Sequence, residues 1–133
     1  MKVLMMGLGS IARKHIAALR AIDPSVELVA WRSSHEGASV EGVTDVYELP
    51  MDGGFDFAIV SNPTSCHASA IRQLLALEIP LFIEKPLFAT LGHEDLLEEI
   101  RQRGLLTYVA CNMRFMDTLQ YLHDHVSQLR GNE

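Results

Sequence analysis

The sequence predicts an α/β domain, a doubly wound parallel sheet in a three-layer α/β/α arrangement. Three observations carry this. Short, nearly unbroken apolar runs alternate with segments of helical periodicity, as parallel strands covered on both faces require. The connections between them are short and fall at glycine, proline or asparagine signals. The first apolar run ends at Gly7 and a helical pattern opens at Ser10, the strand, glycine turn, helix order that holds a dinucleotide pyrophosphate.

Val3 to Met6 is the first strand. Gly7 allows the tight turn after it, and Gly9 lets backbone approach a phosphate with no Cβ in the way. Ser10 reads as the N-cap, with free amides behind it forming an anion site. Ala12 is small enough to bring helix and strand close. By itself this turn reads equally well as purely structural. Ala12, Ile16 and Leu19 then form one apolar helix face, and Asp23-Pro24 stops the helix.

Val26 to Trp31 reads as the second strand, followed directly by Arg32, Ser33 and Ser34. The ribose of a bound dinucleotide would arrive here, and an acid at the strand end would bind the 2′-hydroxyl of NAD. Glu27 and Glu36 are not at that position. Arg32 with two hydroxyls suits a 2′-phosphate through charge-assisted hydrogen bonds, so NADP is favoured over NAD. A solvated loop is the alternative.

Residues 35–54 carry one short strand, Val43 to Val46, and a turn at Asp52-Gly53-Gly54. Phe55 to Val60 is the next strand. Ser61-Asn62-Pro63-Thr64-Ser65 leads into a helix that Thr64 or Ser65 caps, with Ala68, Ile71 and Leu75 on its buried face. A loop at a strand's carboxyl end is where ligands sit in open α/β sheets. His67 reads as a surface or capping histidine rather than a catalytic one, and Cys66 as a packed or half-exposed thiol.

Pro80 opens the strand Leu81 to Ile83, which ends in Glu84-Lys85-Pro86. Glu84 and Lys85 read either as a solvated strand end or as a site pair, with Lys85 holding a substrate oxygen or the cofactor ribose. Pro86 restricts Lys85 to an extended backbone. Thr90 to Arg103 reads as a helix, with Glu94 and Asp95 in its first turn, Arg101 and Arg103 in its last, and Gly104 as the stop. Leu105 to Ala110 is the last strand. Asn112 and Arg114 leave its end and can face the same pocket. Met116 to Leu129 is amphipathic, and a polar tail, 130–133, follows.

At 133 residues the chain is one domain, 1–133, and 48% hydrophobic with 21% charged residues describes a soluble globular protein. A net charge of −6 without a basic stripe argues against nucleic acid as partner. Cys66 and Cys111 share no zinc or disulfide spacing, so no metal site is expected and a cytoplasmic setting is. No stretch has the length of a membrane span or the layout of a signal peptide.

The chain resembles the N-terminal Rossmann NAD(P)-binding domain of the glucose–fructose oxidoreductase and inositol dehydrogenase family, Gfo/Idh/MocA. Three segments carry the resemblance: Gly7-Leu-Gly-Ser-Ile-Ala12 with Arg13 and His15 after it, Ser61-Asn-Pro-Thr-Ser-Cys-His67, and Glu84-Lys85-Pro86. Asn112-Met-Arg-Phe115 looks like the segment where such proteins leave their nucleotide domain. The match covers essentially the whole chain.

The resemblance implies hydride transfer between NADP or NAD and a sugar, cyclitol or related hydroxyl/carbonyl compound. Gly7, Gly9, Ser10 and Ile11 would hold the pyrophosphate, and Arg32, Ser33 and Ser34 the adenosine ribose or its phosphate. Ser61, Asn62, Pro63 and His67 would line the cleft, with Asn112 beside them. Glu84 would contact the nicotinamide-side ribose, and Lys85 would reach substrate and cofactor and assist proton transfer. Pro86 is commonly cis in the family.

The family's second, mostly β domain supplies the substrate pocket, an Asp/His acid–base pair and the oligomer interface, and this sequence ends before such a domain begins. The expectation is therefore weak cofactor binding or none, no turnover by the chain alone, and self-association into a homo-oligomer. A stand-alone nucleotide-binding or protein-docking module without catalysis is the alternative. A methyltransferase fits poorly, because Trp31-Arg32 stands where it would place an acid.

Overall fold

The computed structural model describes residues 1–130, and the polar tail at 131–133 lies outside them. Six strands form one parallel sheet: β1 (Lys2–Met6), β2 (Glu27–Trp31), β3 (Val43–Val46), β4 (Phe57–Val60), β5 (Leu81–Ile83) and β6 (Thr107–Val109), in the order β3-β2-β1-β4-β5-β6. Four α-helices accompany them: α1 (Ser10–Ile22), α2 (His67–Leu74), α3 (Glu94–Gln102) and α4 (Asp117–Arg130). The strand order reverses direction between β1 and β4, so the chain leaves both carboxyl ends side by side there.

β1 shows why the sheet is double-sided. Val3 and Met5 pack with Ala12, Ile16 and Leu19 of α1, while Leu4 and Met6 pack with Ile71 and Leu74 of α2 and Leu96 of α3. Alternate residues of one unbroken apolar run thus enter two different cores, and none of these four is left exposed. Burying each such side chain stabilises the fold by roughly 1.5–3 kcal/mol. No helix among the described residues is long and apolar enough to cross a membrane.

Several element boundaries differ from the sequence expectation. Ser10 is not the N-cap: Gly9 occupies that place and α1 begins at Ser10, with no side-chain cap bond. Neither Thr64 nor Ser65 caps α2; a single 3₁₀ turn, Thr64–Cys66, precedes it and Cys66 is the residue at its start. The buried face of α2 is His67, Ala70, Ile71 and Leu74, with Leu75 buried just after, whereas Ala68 is only partly covered. α3 starts at Glu94 rather than Thr90, because Gly92 sits at φ +92° and interrupts the helical backbone. The side chains of α4 described up to Val126 are all exposed, so its amphipathic pattern is not buried against the sheet.

Candidate functional site

The site is built at the carboxyl ends of β1, β4 and β5. Gly7 takes φ +90°, and an ideal Cβ there would stand 3.0 Å from the Asn62 Cα. The turn after β1 therefore passes against the loop after β4 in a way only glycine permits. Gly9 is the opposite case: a Cβ placed on it would meet no atom within 4 Å. Its missing side chain leaves open space over the start of α1, where the helix amides and dipole favour an anion.

Ser61 fastens the two strand ends together. Its backbone N–H and its Oγ both donate to the Met6 carbonyl, each at 3.0 Å. Asn62, next in the chain, borders two adjoining clefts. One, of about 300 Å³, is lined by Gly7, Leu8, Arg13, Trp31, Arg32, Ser33, Ser34 and Glu36. The other, of about 510 Å³, is lined by Gly7 to Ile11, Ser61 to Thr64, His67, Glu84 and Lys85. The Oδ1 of Asn62 is buried without a hydrogen-bond partner at this junction, an acceptor left for something else to satisfy.

At the β5 end, the Glu84 carboxylate lies 2.8 Å from Nε2 of His15 on α1. The His15 ring in turn packs edge-on against Phe82, with centroids 5.5 Å apart. Lys85 is exposed and its ammonium has no protein partner among the described residues, while the Lys85–Pro86 peptide is cis. The Lys85 ammonium therefore stands at the rim of the larger cleft, free to meet a ligand oxygen.

The structure brings together most of the residues singled out from sequence, with three differences. Pro86 and Asn112 line neither cleft; both are exposed, and Asn112 sits in a 3₁₀ turn after β6. His67 is not a surface residue, since it is 1% exposed. Its Nε2 lies 3.0 Å from the Asn62 carbonyl and its Nδ1 3.1 Å from the Leu87 carbonyl.

Arg32 is the third difference. Its guanidinium donates to Asp45 Oδ2 at 2.8 Å and to the carbonyls of Glu36 and Gly37. The sequence reading had no reason to pair it, because Asp45 lies on the neighbouring strand, where Ala30 is opposite Asp45 and Trp31 opposite Val46. Arg13, by contrast, lines the smaller cleft with no side-chain partner among the described residues. Sequence reasoning named Arg13 and His15 only as followers of the glycine turn.

Burial would by itself raise the Asp45 carboxyl, but the hydrogen bonds from Ser39 and Arg32 and the Arg32 charge outweigh it and hold it below the usual aspartate range. A carboxyl depressed in the folded chain adds stability that is present above the ordinary value of about 3.9 and lost as pH falls through the lower folded value. Urea midpoints measured from pH 7 to 2.5 are therefore expected to fall for the parent chain below about pH 4. Asp45→Asn is expected to be about 1–3 kcal/mol less stable at pH 7 and to lose part of that acid slope. Parallel curves for the two proteins would remove Asp45 from the acid response.

The sequence profile of the oxidoreductase family with an NAD-binding Rossmann fold, GFO_IDH_MocA, matches residues 1–111. The chain belongs to that family. Members with curated descriptions include an uncharacterized oxidoreductase, YrbE, of Bacillus subtilis, 28% identical over 116 residues covering 86% of this chain and 33% of that protein. The scyllo-inositol 2-dehydrogenase (NAD(+)) of the same organism is 27% identical over 121 residues, covering 84% of this chain and 35% of that one. This chain thus spans about a third of the length of these two family members. Among solved structures, the WlbA (WbpB) dehydrogenase of Thermus thermophilus, in complex with NAD and alpha-ketoglutarate, superposes with a TM-score of 0.77. That likeness, at 22% identity over 96% of this chain and 46% of that one, concerns the fold. Residues 1–111 are thus an NAD-binding Rossmann domain of the oxidoreductase family, and the clefts lie at the β1/β4 switch point, where open α/β sheets bind ligands.

Proposed function

We propose that this chain is the cofactor-binding part of an oxidoreductase that moves hydride between NAD(P) and a sugar, cyclitol or related hydroxyl/carbonyl compound. The observation that carries this reading is the pair of clefts meeting at Asn62, one beside Arg13, Ser33 and Ser34 and the other running from the open Gly9 turn to Glu84 and Lys85. The residues fit a dinucleotide. Gly9 leaves the room a pyrophosphate needs, and the unsatisfied Asn62 Oδ1 offers an acceptor to an amide or hydroxyl.

In this reading the α1 amides at Ser10 and Ile11 hold the pyrophosphate. The adenosine end lies in the smaller cleft beside Arg13, Ser33 and Ser34. The nicotinamide end lies in the larger one, where Glu84, oriented by His15, accepts a ribose hydroxyl. The bound nicotinamide supplies the hydride chemistry. Lys85 holds the substrate oxygen and steadies or passes its proton. Substrate closure and the partner acid–base group belong to a further domain of the kind the longer relatives have room for.

NADP remains the favoured cofactor, now through Arg13 rather than Arg32, whose donors face Asp45 and loop carbonyls. Two hydroxyls and a free guanidinium surround this end, against one carboxylate, that of Glu36. Calorimetric titration with NADPH and NADH tests both points. NADPH is expected to bind about tenfold tighter, a difference of ~1.4 kcal/mol, and Arg13→Ala to erase that margin. NADH binding as tightly as NADPH would overturn the preference. Binding of neither would mean either that the site needs a further domain or that the chain works as a docking module.

That second reading has one observation in its favour: Phe115, Met116, Leu122 and Val126 are exposed on and before α4. Such a patch promotes self-association, so a dimer or larger assembly is expected in light scattering at high concentration. A monomer throughout would count against it.

A further inference from the structure

We propose that His67 is a positioning residue that pins the loop leaving β4 to the loop leaving β5, and thereby sets the width of the larger cleft. The inference rests on the cofactor reading only for what that cleft holds. The ring is almost wholly buried at the first residue of α2, yet it sits between two stretches without regular structure. One is Ser61 to Pro63, carrying the orphaned Asn62 Oδ1; the other is Glu84 to His93, carrying Lys85.

Both ring nitrogens face main-chain carbonyls, Asn62 O at 3.0 Å and Leu87 O at 3.1 Å. A carbonyl only accepts, so each contact is a hydrogen bond only when that nitrogen carries a proton. A neutral ring donates to one loop; a ring protonated on both nitrogens donates to both. With both nitrogens turned to backbone, neither is left for a reacting group, so His67 acts through the loops and not on substrate. The charged groups sharing its cleft are Glu84, engaged by His15, and Lys85, while Arg72 on α2 is turned to Asp95.

No other residue offers the same bridge. Phenylalanine would fill the space and remove every donor the ring brings, one in the neutral ring and two in the protonated one, a buried loss. Glutamine keeps an NH2 with two N–H donors and can restore at least one contact. The order of effect is therefore Phe over Gln, which bulk alone would not produce.

The test uses the full chain with His67→Phe and His67→Gln, read in two ways. Amide hydrogen exchange of the ligand-free proteins is expected to rise about tenfold in both loops together for the Phe variant, and less for Gln. Titration with NADPH and with ADP-ribose, which lacks the nicotinamide, is expected to show about tenfold weaker NADPH binding but ADP-ribose within about twofold. Unchanged exchange in either loop overturns the pin, whatever the cofactor does. Equal weakening of both ligands with exchange raised throughout the sheet also overturns it, since that is general loosening. If the parent chain binds neither ligand, the cofactor reading fails on its own and loop exchange alone decides the pin.

Discussion

Gly7→Ala is expected to cost the fold about 2–5 kcal/mol, the larger of the two glycine effects on stability. Two causes act together. The residue must hold φ +90°, where an L side chain is strained by roughly 1–3 kcal/mol. Its Cβ would also come within 3.0 Å of the Asn62 Cα and 3.2 Å of the Asn62 backbone nitrogen. Those atoms belong to the backbone of the loop leaving β4, which Ser61 ties to Met6, so they cannot swing aside as a flexible side chain would. At this chain length each kcal/mol moves the melting temperature by about 3–6 °C, so a drop of about 6 °C or more is expected in thermal unfolding. A melt within about 2 °C of the parent would show that the turn accepts another geometry.

Gly9→Val is expected to do the reverse. The position has φ −70° and ψ −171°, which valine adopts without strain, and the added Cβ meets no protein atom. Stability should stay within about 1 kcal/mol of the parent, the scale of an N-cap substitution. The valine methyls would instead occupy the space over the α1 amides, and NADPH and NADH affinity should both fall by about 100-fold, ~2.7 kcal/mol. Retained affinity would mean that no pyrophosphate lies over this turn and would falsify the cofactor placement. The two variants read as a pair. Glycines two residues apart in one motif serve different ends, Gly7 the packing of two strand ends and Gly9 the ligand.

Much of this was legible in the linear chain because the relevant physics is local. The apolar runs at Val3 to Met6 and Phe55 to Val60 mark strands covered on both faces, the second forming as Phe57–Val60. The Ala12, Ile16, Leu19 spacing marks the buried side of α1, and all three are buried. Capping was less legible, since Ser10, Thr64 and Ser65 are good capping residue types in places where the backbone runs one or two residues out of step. The α3 start is ambiguous for a similar reason: Thr90 and Gly92 fit either a helix start or the loop before it, and the helix begins at Glu94.

Local sequence determined the α/β order, the parallel sheet, the glycine turn and the clustering of site loops at strand carboxyl ends. Tertiary structure alone decided which charges meet. His15 finds Glu84 across 69 residues because α1 packs back onto the sheet beside β5. Arg32 finds Asp45 because β2 and β3 pair in a register that sets Ala30 against Asp45. His67 is buried because two loops close over it. Periodicity and turn chemistry act between near neighbours in the chain, whereas a side chain's partner depends on strand register and helix placement, which emerge only when the whole sheet has assembled.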